Sequence, residues 1–222
     1  MSKALFIHIP KSAGTSISSS GICFPVSKIY MTDKFISLED MSSYKPFMIM
    51  HKHIPYNYLD VSKIHQFDRS FAIVRNPWSR LVSLYHYADL ISPQVIGTRW
   101  FQPNISFDEF LNRMNTFRMY STYYWNHPYD QWGSQLDWVT KENKVRVDIL
   151  RYENLQEDVN AYFDRNVDIA QRNIGSYKSN YTDYYTKEQR EKVAEWFSMD
   201  IEKWGFTFES GATKNYWMKN AH

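Results

Sequence analysis

The sequence predicts an α/β fold, a central and mostly parallel sheet flanked by helices. Three observations lead there. Short apolar runs recur at Leu5–Ile9, Phe47–Met50 and Phe71–Val74, and Val145–Leu150 reads as a fourth strand. Runs of that length suit strands buried on both faces. Helix signals stand between and after them: Pro77 behind the third run, and the capping boxes Ser106-Phe-Asp-Glu109 and Thr186-Lys-Glu-Gln189. No internal repeat, low-complexity tract or linker interrupts the pattern, so residues 1–222 are expected to form a single domain.

The elements follow in order. Leu5, Phe6, Ile7 and Ile9 make the first strand, and Pro10 ends it because proline donates no ladder hydrogen bond. Lys11, Ser12, Ala13 and Gly14 form a small loop, with Thr15 or Ser16 as N-cap of the first helix. Residues 17–45, broken by Ser, Gly and Pro, are expected to be mostly irregular. Phe47–Met50, the second strand, leads into His51-Lys-His-Ile-Pro-Tyr56. Phe71–Val74 runs straight into Arg75-Asn-Pro-Trp78 and a helix to about Leu90, with Leu81, Val82, Tyr85 and Ala88 on one face. Residues 91–105 read as a loop, and a helix starts at Ser106. Residues 116–135 are dense in aromatics and show no assignable period. After the strand Val145–Leu150, Glu153–Arg165 reads as a helix, and the last helix runs from Thr186 to Trp204 and stops at Gly205.

With 222 residues, 43% hydrophobic and 23% charged, the composition is that of a globular protein with a full core. A net charge of +2 gives no strongly basic face, so no nucleic-acid partner is expected. Cys23 is the sole cysteine, which excludes an intrachain disulfide and suits a reducing compartment. The first strand begins at about residue 4, leaving no room before it for a signal peptide, and no run reaches the length of a membrane span. A cytoplasmic protein is the expectation.

The chemistry concentrates behind two strands. A strand, a tight loop and a helix N-terminus make an anion cradle, because loop N–H groups and the helix dipole favour negative charge, and Lys11 adds a full positive one. Taken alone, the stretch is also compatible with an ordinary βα turn carrying a surface lysine. It is not a Walker A loop, whose lysine follows the second glycine; here Lys11 precedes Gly14. Behind the other strand, Arg75 offers a planar fork that grips phosphate bidentately, and Ser83 lies about two helical turns on. By itself Arg75 is equally a helix-start arginine paired with a carboxylate. Arg80 reads as structural or solvent-facing, and His8 as a packed strand residue.

Residues 5–16, LFIHIPKSAGTS, resemble the 5′-phosphosulfate loop of the sulfotransferases, in particular the carbohydrate, Golgi-type enzymes that use 3′-phosphoadenosine 5′-phosphosulfate (PAPS). The stretch AIVRNPWSRLVSLYHY is similar to that family's 3′-phosphate site, and NIGSYKSNYTDYY to the segment that closes over the adenosine. The helix that follows, with its aromatic end WGFTF, and Arg151-Tyr-Glu-Asn-Leu155 also resemble family segments; the latter reads as structural. The resemblance implies a P-loop-like sandwich, with Lys11, Ser12, Ala13, Gly14, Thr15 and Ser16 at the phosphosulfate. It implies Arg75 and Ser83 at the 3′-phosphate, and Ser176, Tyr177 and Lys178 at the nucleotide. It aligns His53, in Lys-His-Ile-Pro-Tyr, with the family's catalytic base, and gives Lys11 a catalytic role.

The implied reaction is transfer of a sulfuryl group from PAPS to a hydroxyl, by resemblance to the family a sugar hydroxyl, releasing adenosine 3′,5′-bisphosphate, with no metal required. Trp100, Trp125, Trp132 and Gln135 are candidates for the acceptor pocket. His51 and His53 share a face if both lie on a strand, as two metal ligands would, but no third ligand is evident. Two other classes remain compatible with the residues: a P-loop nucleotide kinase, and a non-catalytic nucleotide- or carbohydrate-binding protein.

Overall fold

The computed structural model of the chain describes residues 4–25, 55–59, 64–91, 105–114, 133–170 and 180–213. The second expected strand, Phe47–Met50, and much of the two loops at 91–105 and 116–135 lie outside these residues.

Four strands form a parallel sheet in the order β2-β1-β3-β6: β1 (Ala4–Ile7), β2 (Phe24–Pro25), β3 (Arg69–Val74) and β6 (Asp148–Arg151). In the central pair β1 is apolar throughout and β3 is apolar and buried from Phe71 to Val74, as strands covered on both faces tend to be. β2 falls inside the stretch expected to be irregular. Two residues at an edge suffice to pair Leu5 with Phe24, and a proline is tolerated at an edge.

The expected strand Val145–Leu150 is in fact two elements. Lys144–Val145 is β5, which pairs antiparallel with β4 (Thr140–Lys141), and only Asp148–Arg151 joins the main sheet. The reason is the turn between β4 and β5: Glu142 and Asn143 both have positive φ, 53° and 59°, as a two-residue hairpin turn demands.

Side-chain alternation divides the core. Leu5, Ile7, Ala72, Val74 and Ile149 face one way, toward α2 (Pro77–Ile91), α3 (residues 107–114), α4 (Gln135–Val139), α6 (Lys187–Trp196) and α7 (Ser198–Trp204). Ala4, Phe6, Phe71, Ile73 and Leu150 face the other way, toward Ile17 of α1 (Gly14–Ser19) and Val159 and Tyr162 of α5 (Leu155–Phe163). No described helix is long and apolar enough to cross a membrane.

Local chemistry sets the helix ends. Asn76 caps α2, its Oδ1 accepting from the N–H groups of Trp78 and Ser79. Its amide nitrogen donates to the carbonyls of Thr207 and Ser210, so the same side chain anchors the C-terminal segment. The capping box at Thr186 forms as expected, and Ser106 Oγ accepts from Glu109 N–H. The long final helix is instead two, broken at Phe197, whose ring is buried in the core; Gly205 then stops α7 in the left-handed region. α5 begins at Leu155 rather than Glu153, because residues 152–154 form a 3₁₀ turn.

Arg151 closes β6 onto α5. Its Nε and Nη2 reach the two oxygens of Asp158, and its N–H donates to the same carboxylate. Asp158 is 4% exposed, so a weakened partner is not replaced by water. Asp158→Asn is expected to cost about 1.5–3 kcal/mol, the worth of a charged hydrogen-bond pair. Urea unfolding with an unchanged slope is the measurement; a midpoint equal to wild type refutes it.

Candidate functional site

β1 and β3 are neighbours in register, Ile7 beside Ala72, yet the helices that follow them leave for opposite faces, α1 for one and α2 for the other. Such a divergence opens a crevice at the carboxyl ends of the strands, where α/β sheets bind ligands. The residues after β1 and those after β3 meet there: Arg75 Nη1 donates to the carbonyl of Lys11 at 3.1 Å.

The loop after β1 is held in an unusual shape. Lys11 and Ala13, on either side of Ser12, have left-handed φ of 65° and 55°. Such residues cost about 1–3 kcal/mol each, so the surroundings must impose them. Two guanidinium groups do so by taking successive carbonyls: Arg80 Nε donates to Pro10 O at 3.1 Å, and Arg75 takes Lys11 O. With carbonyls drawn back toward arginines, the turn favours N–H groups on its concave side, as anion-binding nests do. Arg80 is thus wholly structural and 2% exposed; it also donates to Gly133 O.

Helix α1 starts at Gly14 with Ala13 as N-cap, so neither Thr15 nor Ser16 caps it. Its first bond runs from Ile17 N–H to Ala13 O, which leaves the amides of Gly14 and Thr15 without acceptors inside the helix. Gly14 is dictated by contact rather than by φ. A Cβ there would lie 1.5 Å from Nε2 of His8, whose ring is buried and stacked on Phe6. His8 is therefore packed, as expected, but just beyond the strand.

Arg75 is fixed on every side. Nε donates to Ser79 Oγ at 2.9 Å, and its Cζ sits 4.1 Å from the centroid of the Tyr152 ring. Lys11 Nζ lies 3.9 Å from the centroid of Tyr87. Burial, and then the charge of Arg75, pull the Lys11 pKa down to about 8. Among the described residues neither cation forms an ion pair. Glu153 is the acid whose charge bears on Arg75, but its Oε1 accepts from Asn76 N–H and its pKa is raised by burial. A buried guanidinium and a half-buried ammonium, neither with a bonded acid among the described residues, attract an anion.

Gln135 ties the site together, and this corrects the expectation that it lines an acceptor pocket. It is 0% exposed. Its Oε1 accepts from Arg75 N–H at 2.9 Å and from Ser12 Oγ at 3.4 Å, and its Nε2 donates to Arg75 O at 2.8 Å. Behind it Asp200, also 0% exposed, accepts from the N–H groups of Gln135 and Leu136 and from Ser134 Oγ. Burial raises the Asp200 pKa against these donors.

The structure thus gathers Lys11, Ser12, Ala13, Gly14, Thr15, Ser16 and Arg75 at one crevice. Ser83 is half-buried on α2, one turn beyond Ser79 on the same face. His51, His53, Trp100, Trp125, Trp132, Ser176, Tyr177 and Lys178 lie outside the described residues. Sequence reading passed over Ser79, Tyr87 and Tyr152. For the first two a signal existed: Arg75, Ser79, Ser83 and Tyr87 recur every fourth residue, the spacing of one helical face.

Residues 2–207 match the model of a family described as the sulfotransferase family. Among solved structures, the chain is similar to that of the mouse sulfotransferase SULT7A1 complexed with PAP, with 17% identity over 90% of this chain and 85% of that chain, and a TM-score of 0.49. No curated protein matches the chain.

The fit of His8 over Gly14 makes a direct prediction. Gly14→Ala is expected to lower the melting temperature, overpacking of this kind costing about 1–3 kcal/mol. Adding His8→Ala should recover part of the loss, because the clash disappears with the ring. A Gly14→Ala protein that melts like wild type would show the ring to be displaced at no cost.

Proposed function

The chain belongs to the sulfotransferase family, and from that premise we propose that it transfers a sulfuryl group from PAPS to a hydroxyl of a carbohydrate acceptor by in-line displacement. The observation that supports this reading best is the meeting of Lys11 and Arg75 at one crevice, both without an ion-pair partner among the described residues. A nucleotide that is anionic at its 5′ and 3′ ends offers each of them a counter-charge.

PAPS supplies the sulfuryl group and, as leaving group, adenosine 3′,5′-bisphosphate. The acceptor oxygen bonds to sulfur while the bond between sulfur and the 5′-phosphate oxygen breaks. His53 takes the hydroxyl proton; imidazole suits that task because its unperturbed pKa, about 6.5, leaves it neutral at physiological pH. Lys11 and the amides of residues 12–16 stabilise charge on the bridging and sulfuryl oxygens. Arg75 and Ser83 hold the 3′-phosphate, and Ser176, Tyr177 and Lys178 close over the nucleotide, so that attack is in line. No metal has a role in this scheme. A cytoplasmic setting fits the single cysteine, Cys23.

Ligand binding comes first. Adenosine 3′,5′-bisphosphate is expected to raise the melting temperature more than ADP, which lacks the 3′-phosphate. Stabilisation by ATP with Mg²⁺ and none by the bisphosphate would instead indicate phosphoryl transfer. Arg75→Ala should weaken bisphosphate binding by about ten- to a hundred-fold, and Arg75→Lys should restore only part, since a point charge cannot fork. Wild-type affinity in both would leave Arg75 a structural role alone.

Catalysis is tested at His53. His53→Ala should retain bisphosphate affinity but cut transfer about 10²–10⁴-fold, measured at saturating PAPS with a competent acceptor. His51→Ala should have a much smaller effect. Full activity in His53→Ala with collapse in His51→Ala would reassign the base.

A further inference from the structure

Both cations at the crevice rest on tyrosine rings. Lys11 Nζ lies 3.9 Å from the centroid of Tyr87, and Arg75 Cζ lies 4.1 Å from that of Tyr152. The rings come from different elements, Tyr87 from α2 and Tyr152 from the 3₁₀ turn after β6. Neither cation has a carboxylate ion-pair partner among the described residues. Three arginines elsewhere are paired with acids instead, Arg113 with Glu109, Arg146 with Glu142 and Arg151 with Asp158, while Arg69, Arg165, Arg190 and Lys192 also lie over rings.

This difference has a chemical consequence. A carboxylate would hold a cation in place and also cancel its charge, and an arriving phosphate would have to displace it. An aromatic face attracts a cation through its quadrupole but carries no net charge. The cation is then oriented, and its field stays available to an anion.

We propose that Tyr87 and Tyr152 are positioning residues of the nucleotide site, their ring faces orienting Lys11 and Arg75 toward the anionic ends of the nucleotide in place of acidic partners. This rests on the nucleotide-binding role proposed above. The argument for Lys11 is supported by its surroundings. Desolvation and Arg75 both favour the neutral amine, and together they bring its pKa to about 8. Tyr87 opposes them, since a ring face stabilises the ammonium alone. Burial raises the Tyr87 pKa above its usual value, so its own hydroxyl stays neutral as Lys11 titrates. No charged group besides Arg75 bears on Lys11 among the described residues, and Tyr87 is the titratable group packed against it.

The sign of the effect follows. The ammonium binds the anion, so bisphosphate affinity falls as pH rises through the Lys11 pKa. Removing the ring removes support for the charged form, and that pKa drops. The Tyr152 ring bears on a guanidinium rather than on an amine, so its loss acts equally at every pH.

Two measurements on the full chain test this. In ligand-free protein carrying ¹³C-lysine, NMR titration should place Lys11 near pH 8 in wild type and in Tyr87→Phe. It should place it about 0.4–1.5 pH units lower in Tyr87→Leu, the worth of a cation–π contact. Tyr87→Met, which fills the space without a π face, should match the leucine variant and serves if that one does not fold.

Calorimetric titration with adenosine 3′,5′-bisphosphate from pH 6.5 to about 9 is the second. In Tyr87→Leu the fall in affinity should begin at lower pH. In Tyr152→Leu affinity should be lower by about three- to thirty-fold at all pH values, with recovery in Tyr152→Phe. An unchanged Lys11 titration in Tyr87→Leu, or an equal drop in Tyr87→Phe, overturns the assignment of Tyr87. Wild-type affinity in Tyr152→Leu, or no recovery in Tyr152→Phe, overturns that of Tyr152. If wild type binds no bisphosphate while Lys11 still shifts in Tyr87→Leu, the nucleotide reading fails and the seating of Lys11 on its ring is upheld.

Discussion

Gln135 holds Arg75 by both sides of its backbone. The side-chain amide accepts from the N–H of Arg75 and donates to its carbonyl, a two-point clasp like a rung of β-sheet, and its oxygen also receives Ser12 Oγ. Because the amide is wholly buried, none of these bonds has water as a substitute. Asp200 fixes the amide from behind through the Gln135 N–H. The geometry of the crevice therefore depends on a residue from α4 and another from α7, although the groups that would meet a ligand follow β1 and β3.

Arginines are put to three uses here. Arg80 is consumed as a donor to the Pro10 and Gly133 carbonyls, shaping the loop from beneath. Arg151 is neutralised by Asp158 and joins a strand to a helix. Arg75 divides its contacts among Ser79, the Lys11 carbonyl and the Tyr152 ring, none of them charged. Arg75 keeps its charge at the crevice, where Lys11 adds a second, and among the described residues no acid forms an ion pair with either.

Much of this was legible in the chain itself. The apolar runs at Leu5–Ile9 and Phe71–Val74 mark the two central strands, because strands buried on both faces read as near-continuous hydrophobic runs. Pro77 and the Thr186 box mark helix starts, because capping is satisfied within a few residues of sequence. Lys11 and Arg75 stand out since each directly follows a strand. The hairpin at 140–145 is not legible, its turn residues Glu142 and Asn143 lacking the usual glycine.

By itself, then, the sequence determined the layered α/β class, the central strands and the two segments that bring cations to their carboxyl ends, all consequences of local pattern. Apart from Ser79, one helical turn from Arg75, tertiary structure decided what those cations touch. Nothing near Lys11 in sequence announces Tyr87, and nothing near Arg75 announces Gln135 or Tyr152, which are separated from it by 60 residues or more. Nor could His8 be seen to require Gly14 until the strand and helix were packed together. Contacts between distant segments arise from how the two faces of the sheet are covered, and no local preference encodes them.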